Sequence, residues 1–157
     1  MNWKPWLWKW SGNLMTDLSP AEIMLNSLIP AQRLIRRLQD VLKAPVPYVD
    51  IRLSPEAKSA RAAFQSVVQH DINELTAQRE KRVTLVKLIQ DQTARTVIEL
   101  CYQLSSSGCE KMPYFKIGEA LHYSDKMILR YHKKAIDQLN HLLERESIME
   151  EKARPPP

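Results

Sequence analysis

Ser124, Lys126, Met127, Arg130, Lys133 and Lys134 fall within one stretch, LHYSDKMILRYHKKAI, over residues 121–136. Their chemistry is recognition. Lysine and arginine meet phosphate oxygens, and arginine can also donate two hydrogen bonds to a guanine edge in the major groove of DNA. Stepping about 100° per residue from Ile128 brings His132, Ala135, Leu139 and Leu142 within roughly 40° of it. Lys126, Arg130 and Lys133 fall within about 40° of the opposite pole, with Lys134 beside them. The cations therefore occupy the outer face of the N-terminal half, the part of a recognition helix that reaches base edges. Ser124 is placed as an N-cap, and the helix start it defines can favour an anion. Ser124, Lys126, Met127 and Arg130 are the expected base-edge contacts, and Lys133 and Lys134 the expected phosphate contacts. Charge alone would favour a solvated face on a helical hairpin over a DNA-reading one.

Other chemistries find little footing. Cys101, Cys109, His122 and His141 assemble into a zinc site only on paper, because seven residues separate the cysteines, against the two to four of common zinc motifs. No metal is expected. His132 sits on the apolar stripe and reads as a packed histidine. There is no glycine-rich phosphate loop, no nucleophile elbow and no carboxylate pair held by apolar neighbours. The sequence therefore predicts no catalysis, no cofactor and no small-molecule substrate.

The elements around the cationic stretch must hold it in place. Ile117, Gly118 and Leu121 lie just upstream, at a spacing that lets a short helix pack across the next one. With the following residues they spell I-G-x-x-L-x-x-S-x-x-x-I-x-R. Two apolar anchors, a small contact residue, a tight turn, a capping serine, a core aliphatic and a projecting arginine make a helix-turn-helix pattern. His122 stands where a turn glycine is usual, and histidine reaches the left-handed region more readily than most residues.

Elsewhere the chain of 157 residues is 44% hydrophobic and 26% charged, with three glycines and ten prolines. Long stretches lack both helix breakers, so the fold class is all-α: a long helical arm followed by a C-terminal three-helix helix-turn-helix domain. Residues 1–18 form a Trp-rich leader with Trp3, Trp6, Trp8 and Trp10 beside Lys4 and Lys9. The leader is expected to be poorly ordered; membrane contact by it is not expected, and Met15 could serve equally as a start. Residues 19–53 hold N-terminal helices and a proline linker. Ser19-Pro20-Ala21-Glu22 is a helix start, and Pro30 should stop or kink that helix. Leu34, Ile35, Leu38, Val41 and Leu42 of the next helix should face inward, with Arg33, Arg36, Arg37 and Lys43 outside. Tyr48 to Leu53 alternates and reads as extended.

Residues 54–90 read as one long helix opened by Ser54-Pro55. Its stripe of Phe64, Val68, Ile72 and Leu75 is narrow enough for a dimerisation arm or an intrachain hairpin. The run Gln78-Arg79-Glu80-Lys81-Arg82 interrupts that seam. Residues 91–146 carry the three-helix domain: a first helix from Thr93 to Leu104, a short one ending near His122, and the cationic helix. Residues 147–157 read as a disordered tail. A net charge of +5 and a pI near 9.3 suit a nucleic-acid partner without requiring one. Two cysteines make a poor disulfide framework, no apolar run nears the roughly 20 residues of a membrane span, and the opening residues lack a secretory core. A cytoplasmic location follows as the expectation.

The segments RTVIELCYQL and KIGEALHYSDKMILRYHKKAI, with the long charged helix ahead of them, resemble the RinA/ArpU group of phage transcriptional regulators. Tyr123, Ser124, Ile128, Arg130, His132, Ala135 and Ile136 match the group's pattern, and Tyr102 matches an aromatic near the end of its first helix. The likeness spans about residues 90–143 and is only general over 54–90. Cys101 stands where arginine is more usual, and the insertion after the first helix is longer than the group's turn. The resemblance implies a helix-turn-helix like region four of sigma factors. It further implies a regulator of late or packaging genes in a bacterial host, acting on double-stranded DNA. Rival readings of the same residues are a protein-interaction adaptor, for example one that contacts host RNA polymerase or a packaging subunit, and a small-terminase-like packaging subunit.

Overall fold

The computed structural model describes residues 17–44, 54–105 and 109–156. The readings of the leader up to residue 16, of Tyr48 to Leu53 and of the break at 106–108 lie outside them. The described residues form six helices and no strand: α1 (Pro20–Asn26), α2 (Leu28–Lys43), α3 (Pro55–Lys87), α4 (Gln92–Cys101), α5 (Tyr114–Leu121) and α6 (Asp125–Ala153). The fold is all-α.

Local chemistry sets most boundaries. Ser19 Oγ accepts from Glu22 N–H at 3.4 Å while Ser19 N–H donates to the Glu22 carboxylate at 2.9 Å, a complete capping box on α1. Ser54 Oγ accepts from Ala57 N–H at 3.2 Å to open α3, with Pro55 in the first turn. The break between α1 and α2 falls at Ser27, three residues before the proline expected to cause it. Pro30 thereby sits in the first turn of α2, where its missing N–H leaves no intrahelical bond unmade.

Helices α2 and α3 form an antiparallel hairpin. Ser27 at the start of α2 meets Arg82 near the end of α3, their side chains hydrogen-bonded at 2.8 Å. Ile35, Val68 and Ile72 are buried between the two helices, with Leu38, Leu42 and Leu75 packed on them. Leu34 and Val41, expected inward, are instead 45% and 49% exposed, and Phe64 is 56% exposed. One neighbouring helix covers only a narrow strip, here Ile35, Leu38 and Leu42 at spacings of three and four.

The main core joins every helix. Met24 and Leu25 from α1, Leu28 from α2, Val86 from α3, Val97 and Ile98 from α4, Ile117 from α5, and Ile128 and Leu139 from α6 are all at most 1% exposed. Burying each aliphatic side chain contributes about 1.5–3 kcal/mol. α1 thus belongs to the same core as α4–α6, and Ala21 N–H donates to Asn140 Oδ1 of α6 at 2.9 Å. Arg79 and Arg82, from the charged run of α3, turn inward. Arg79 donates to the Leu104 carbonyl at 3.1 Å and ties α3 to the end of α4.

Two ends differ from expectation. α4 stops at Cys101 rather than Leu104 because Gln103 enters the left-handed region at φ 49°, and Leu104 N–H closes back on the Glu99 carbonyl at 3.0 Å. Leu104 still reaches the core at 6% exposure. α6 continues past Glu146 to Ala153, so residues 147–153 of the expected disordered tail are helical. No glycine or proline interrupts that stretch before Pro155.

Candidate nucleic-acid interface

The turn between α5 and α6 is built by three residues. His122 adopts φ 59°, ψ 40°, the left-handed conformation that ends a helix, without the usual glycine. Tyr123 N–H donates to the Gly118 carbonyl at 2.9 Å, closing the end of α5. Gly118 is required there: a Cβ on it would lie 2.5 Å from the Tyr123 carbonyl oxygen and 3.7 Å from the Ile128 side chain. The small residue lets α5, the turn and α6 meet at contact distance. Ser124 Oγ then accepts from Met127 N–H at 3.3 Å and opens α6. Tyr123 rests against Tyr131 with ring centroids 5.6 Å apart, bracing the turn from one side.

α6 divides as its periodicity predicts. Ile128, Ala135 and Leu139 are 0% exposed and Ile136 is 5% exposed, while Lys126, Arg130, Lys133 and Lys134 lie on the outside. Met127 is half-buried and Leu129 is 51% exposed beside the cations. Lys126, Arg130 and Lys133 follow one another at spacings of four and three, so their side chains share one stripe.

Lys134 departs from that stripe. Its Nζ lies 2.6 Å from Asp91 Oδ2. Asp91 Oδ1 in turn accepts from Ala94 N–H at 2.9 Å and caps α4. The backbone N–H of Ala94, followed by the Lys134 ammonium, holds the Asp91 carboxyl below its ordinary range, and Asp91 raises Lys134. Lys134 is therefore a clamp between α6 and the start of α4, with its charge largely answered. Ser124 is similarly engaged as a cap, which leaves its hydroxyl proton as its free contribution to a ligand. Sequence reasoning missed Asp91. Its signal was an N-cap residue at the hinge ahead of a helix, and its partner lies 43 residues away.

His132 is buried at 8% exposure behind the stripe. Its ring stacks on Tyr102 at a centroid distance of 6.1 Å and tilts against Tyr114 at 5.5 Å. The Tyr102 hydroxyl and Nε2 lie 3.4 Å apart. Burial first, and then the Lys111 charge, pushes the imidazole below its ordinary pKa, which favours the neutral ring. Lys111 also sits 5.0 Å from the centre of the Tyr102 ring, a cation–π contact over the same cluster. This is packing chemistry. Cys101 is buried, and desolvation pushes its thiol up to about 11, away from nucleophilic thiolate. Among the described residues no three His, Cys, Asp or Glu side chains are grouped to hold a metal ion, and no helix is long and apolar enough to cross a membrane.

Comparison of the chain with family models, curated proteins and solved structures gives no match.

Proposed function

We propose that the chain is a sequence-specific DNA-binding regulator of phage or prophage genes, with a helix-turn-helix formed by α5 and α6. In this reading residues 124–138 enter the major groove of double-stranded DNA. The observation that carries it is the pairing of a tight α5–α6 turn with a cationic stripe on the exposed side of α6. Lys126 and Arg130 lie near the N-terminal end, as base readout requires, and Lys133 follows as a phosphate contact. Lys134 contributes less than its charge suggests because it is held by Asp91. The resemblance of residues 90–143 to the RinA/ArpU group supports the regulatory role; in the cytoplasm of a bacterium, host RNA polymerase is a further partner in this reading.

The test is capture of genomic or phage DNA fragments by the purified chain, followed by affinity measurements on the captured sequence. Arg130→Ala and Lys126→Ala should each weaken specific binding by about 1–3 kcal/mol if they read base edges. Unchanged affinity across a salt titration in both folded variants would sink the reading.

Exposed Leu34, Val41, Phe64 and Val67 on the α2–α3 hairpin favour a second reading. Phe64 and Val67 suit a homodimer through residues 54–90, and the four side chains together suit a protein adaptor or a small-terminase-like ring. The mass in solution separates these: a dimer brings two recognition helices to paired half-sites, whereas a ring indicates a packaging subunit.

A further inference from the structure

We propose that the groove between α1 and the C-terminal part of α6 seats this chain's own tryptophan-rich segment, residues 3–10. The groove encloses about 810 Å³, within the roughly 300–1,000 Å³ typical of sites that take sizeable apolar ligands. Leu18 and Ile23 line one side, and Leu143 and Ile148 the other. Ile148 is 47% exposed, so an apolar surface is open at the end of α6. Glu144 stands exposed along the α6 wall, and Glu146 beside it lies 3.7 Å from Lys81 Nζ of α3.

Chain position, composition and charge together select the occupant. Leu18 is itself part of the groove, so the described chain begins at its lip. Trp10 lies eight residues before Leu18, a reach of up to about 27 Å for extended chain. The α6 wall from Asn140 to Glu150 spans only about 15 Å. All four tryptophans fall between residues 3 and 10, interleaved with Lys4 and Lys9, and residues 1–16 hold no acidic side chain. Indoles suit the aliphatic walls, and the lysines suit the exposed Glu144 carboxylate beside them. A short tether supplies an effective concentration on the order of millimolar, so a weak intrinsic affinity fills the site. The cationic stripe lies on the other half of α6, so this proposal stands apart from the DNA-binding reading.

Because every tryptophan belongs to the segment, intrinsic tryptophan emission of the full chain reports on it alone. Blue-shifted emission is expected, with acrylamide quenching several-fold weaker than for free tryptophan, at every protein concentration. Ile148→Glu and Ser147→Arg alter exposed residues of the α6 wall. Each should shift the emission red and restore quenching while far-ultraviolet circular dichroism keeps its helical signal. Should either variant lose helix, the other decides. Water-like emission in the unaltered chain overturns the proposal, as does blue-shifted emission that both variants leave unmoved. Protection that rises with protein concentration alongside a doubled mass assigns the segment to a second copy and overturns a same-chain seat. Protection that develops only on adding anionic phospholipid vesicles assigns it to a membrane surface and overturns it equally.

Discussion

Lys134 Nζ lies 2.6 Å from Asp91 Oδ2, joining the outer face of α6 to the first turn of α4 across 43 residues of sequence. The same carboxylate caps α4 through Ala94 N–H. Asp91→Ala removes both contacts, and loss of the cap alone should cost about 0.5–2 kcal/mol, read by urea or thermal denaturation. The Asp91 carboxyl is depressed below its ordinary 3.8. Its contribution is therefore full above that pH and is lost as pH falls through the lower, folded-state value. Asp91→Asn should flatten that part of the acid limb, and an unchanged acid limb would contradict the assignment.

Gly118 should not tolerate alanine. The added Cβ meets backbone, the Tyr123 carbonyl at 2.5 Å, and cannot be relieved by a rotamer change. Overpacking of this kind costs about 1–3 kcal/mol, against the roughly 1 kcal/mol by which alanine exceeds glycine in helix propensity. A melting temperature at or above that of the unaltered chain for Gly118→Ala would show that the turn has room for a Cβ.

His122 offers the opposite change. At φ 59° it holds a conformation that costs an L-residue about 1–2 kcal/mol and glycine almost nothing. Glycine returns part of that gain through its freer unfolded chain. His122→Gly should raise stability by about 0.5–1 kcal/mol, and His122→Val should lower it, since a β-branched residue tolerates that region least. Denaturant midpoints for the two variants should fall on opposite sides of the unaltered chain.

These predictions divide according to what the sequence makes legible. The split of α6 into Ile128, Ala135 and Leu139 against Lys126, Arg130 and Lys133 is written in a 3.6-residue period, and so is readable from one segment. The left-handed His122 is legible because glycine is missing from a turn that calls for one. Gln103 is not, because nothing about glutamine announces a left-handed residue; only the closure of Leu104 on Glu99 reveals it. The inward turn of Arg79, the Lys134–Asp91 clamp and the place of α1 in the main core all depend on contacts between distant segments. Local periodicity carries no information about those. Leu34 and Val41 show the converse limit: an apolar residue near the inner arc stays exposed when α3 packs against only a narrow strip of its helix.

Buried His132 supplies a pH test in a different window from Asp91. Its folded pKa lies below the ordinary 6.5, through burial first and the Lys111 charge second. Below about pH 6.5 the unfolded chain takes up a proton that the folded chain resists, so stability falls as pH drops toward the folded value. His132→Leu removes the titrating group and should abolish that slope between pH 7 and the folded pKa. A variant retaining the full slope in denaturant midpoints would place its origin elsewhere.

The sharpest functional contrast lies between neighbours Lys133 and Lys134. Both are lysines on the outer side of α6, yet only Lys134 is held by a carboxylate. If the cationic stripe meets DNA phosphates, Lys133→Ala should lower the slope of log affinity against log salt by about 0.9 in magnitude, the release of one counterion. Lys134→Ala should change that slope much less, because its charge is already answered. It should instead lower folding stability, since Asp91 loses its partner. Fluorescence anisotropy on one DNA duplex across a salt series, beside thermal denaturation, measures both. Equal slopes for Lys133→Ala and the unaltered chain would remove Lys133 from the interface. A reduced slope for Lys134→Ala would mean that DNA binding breaks the clamp, which would then show as a weaker hold of α6 on α4 in the bound state.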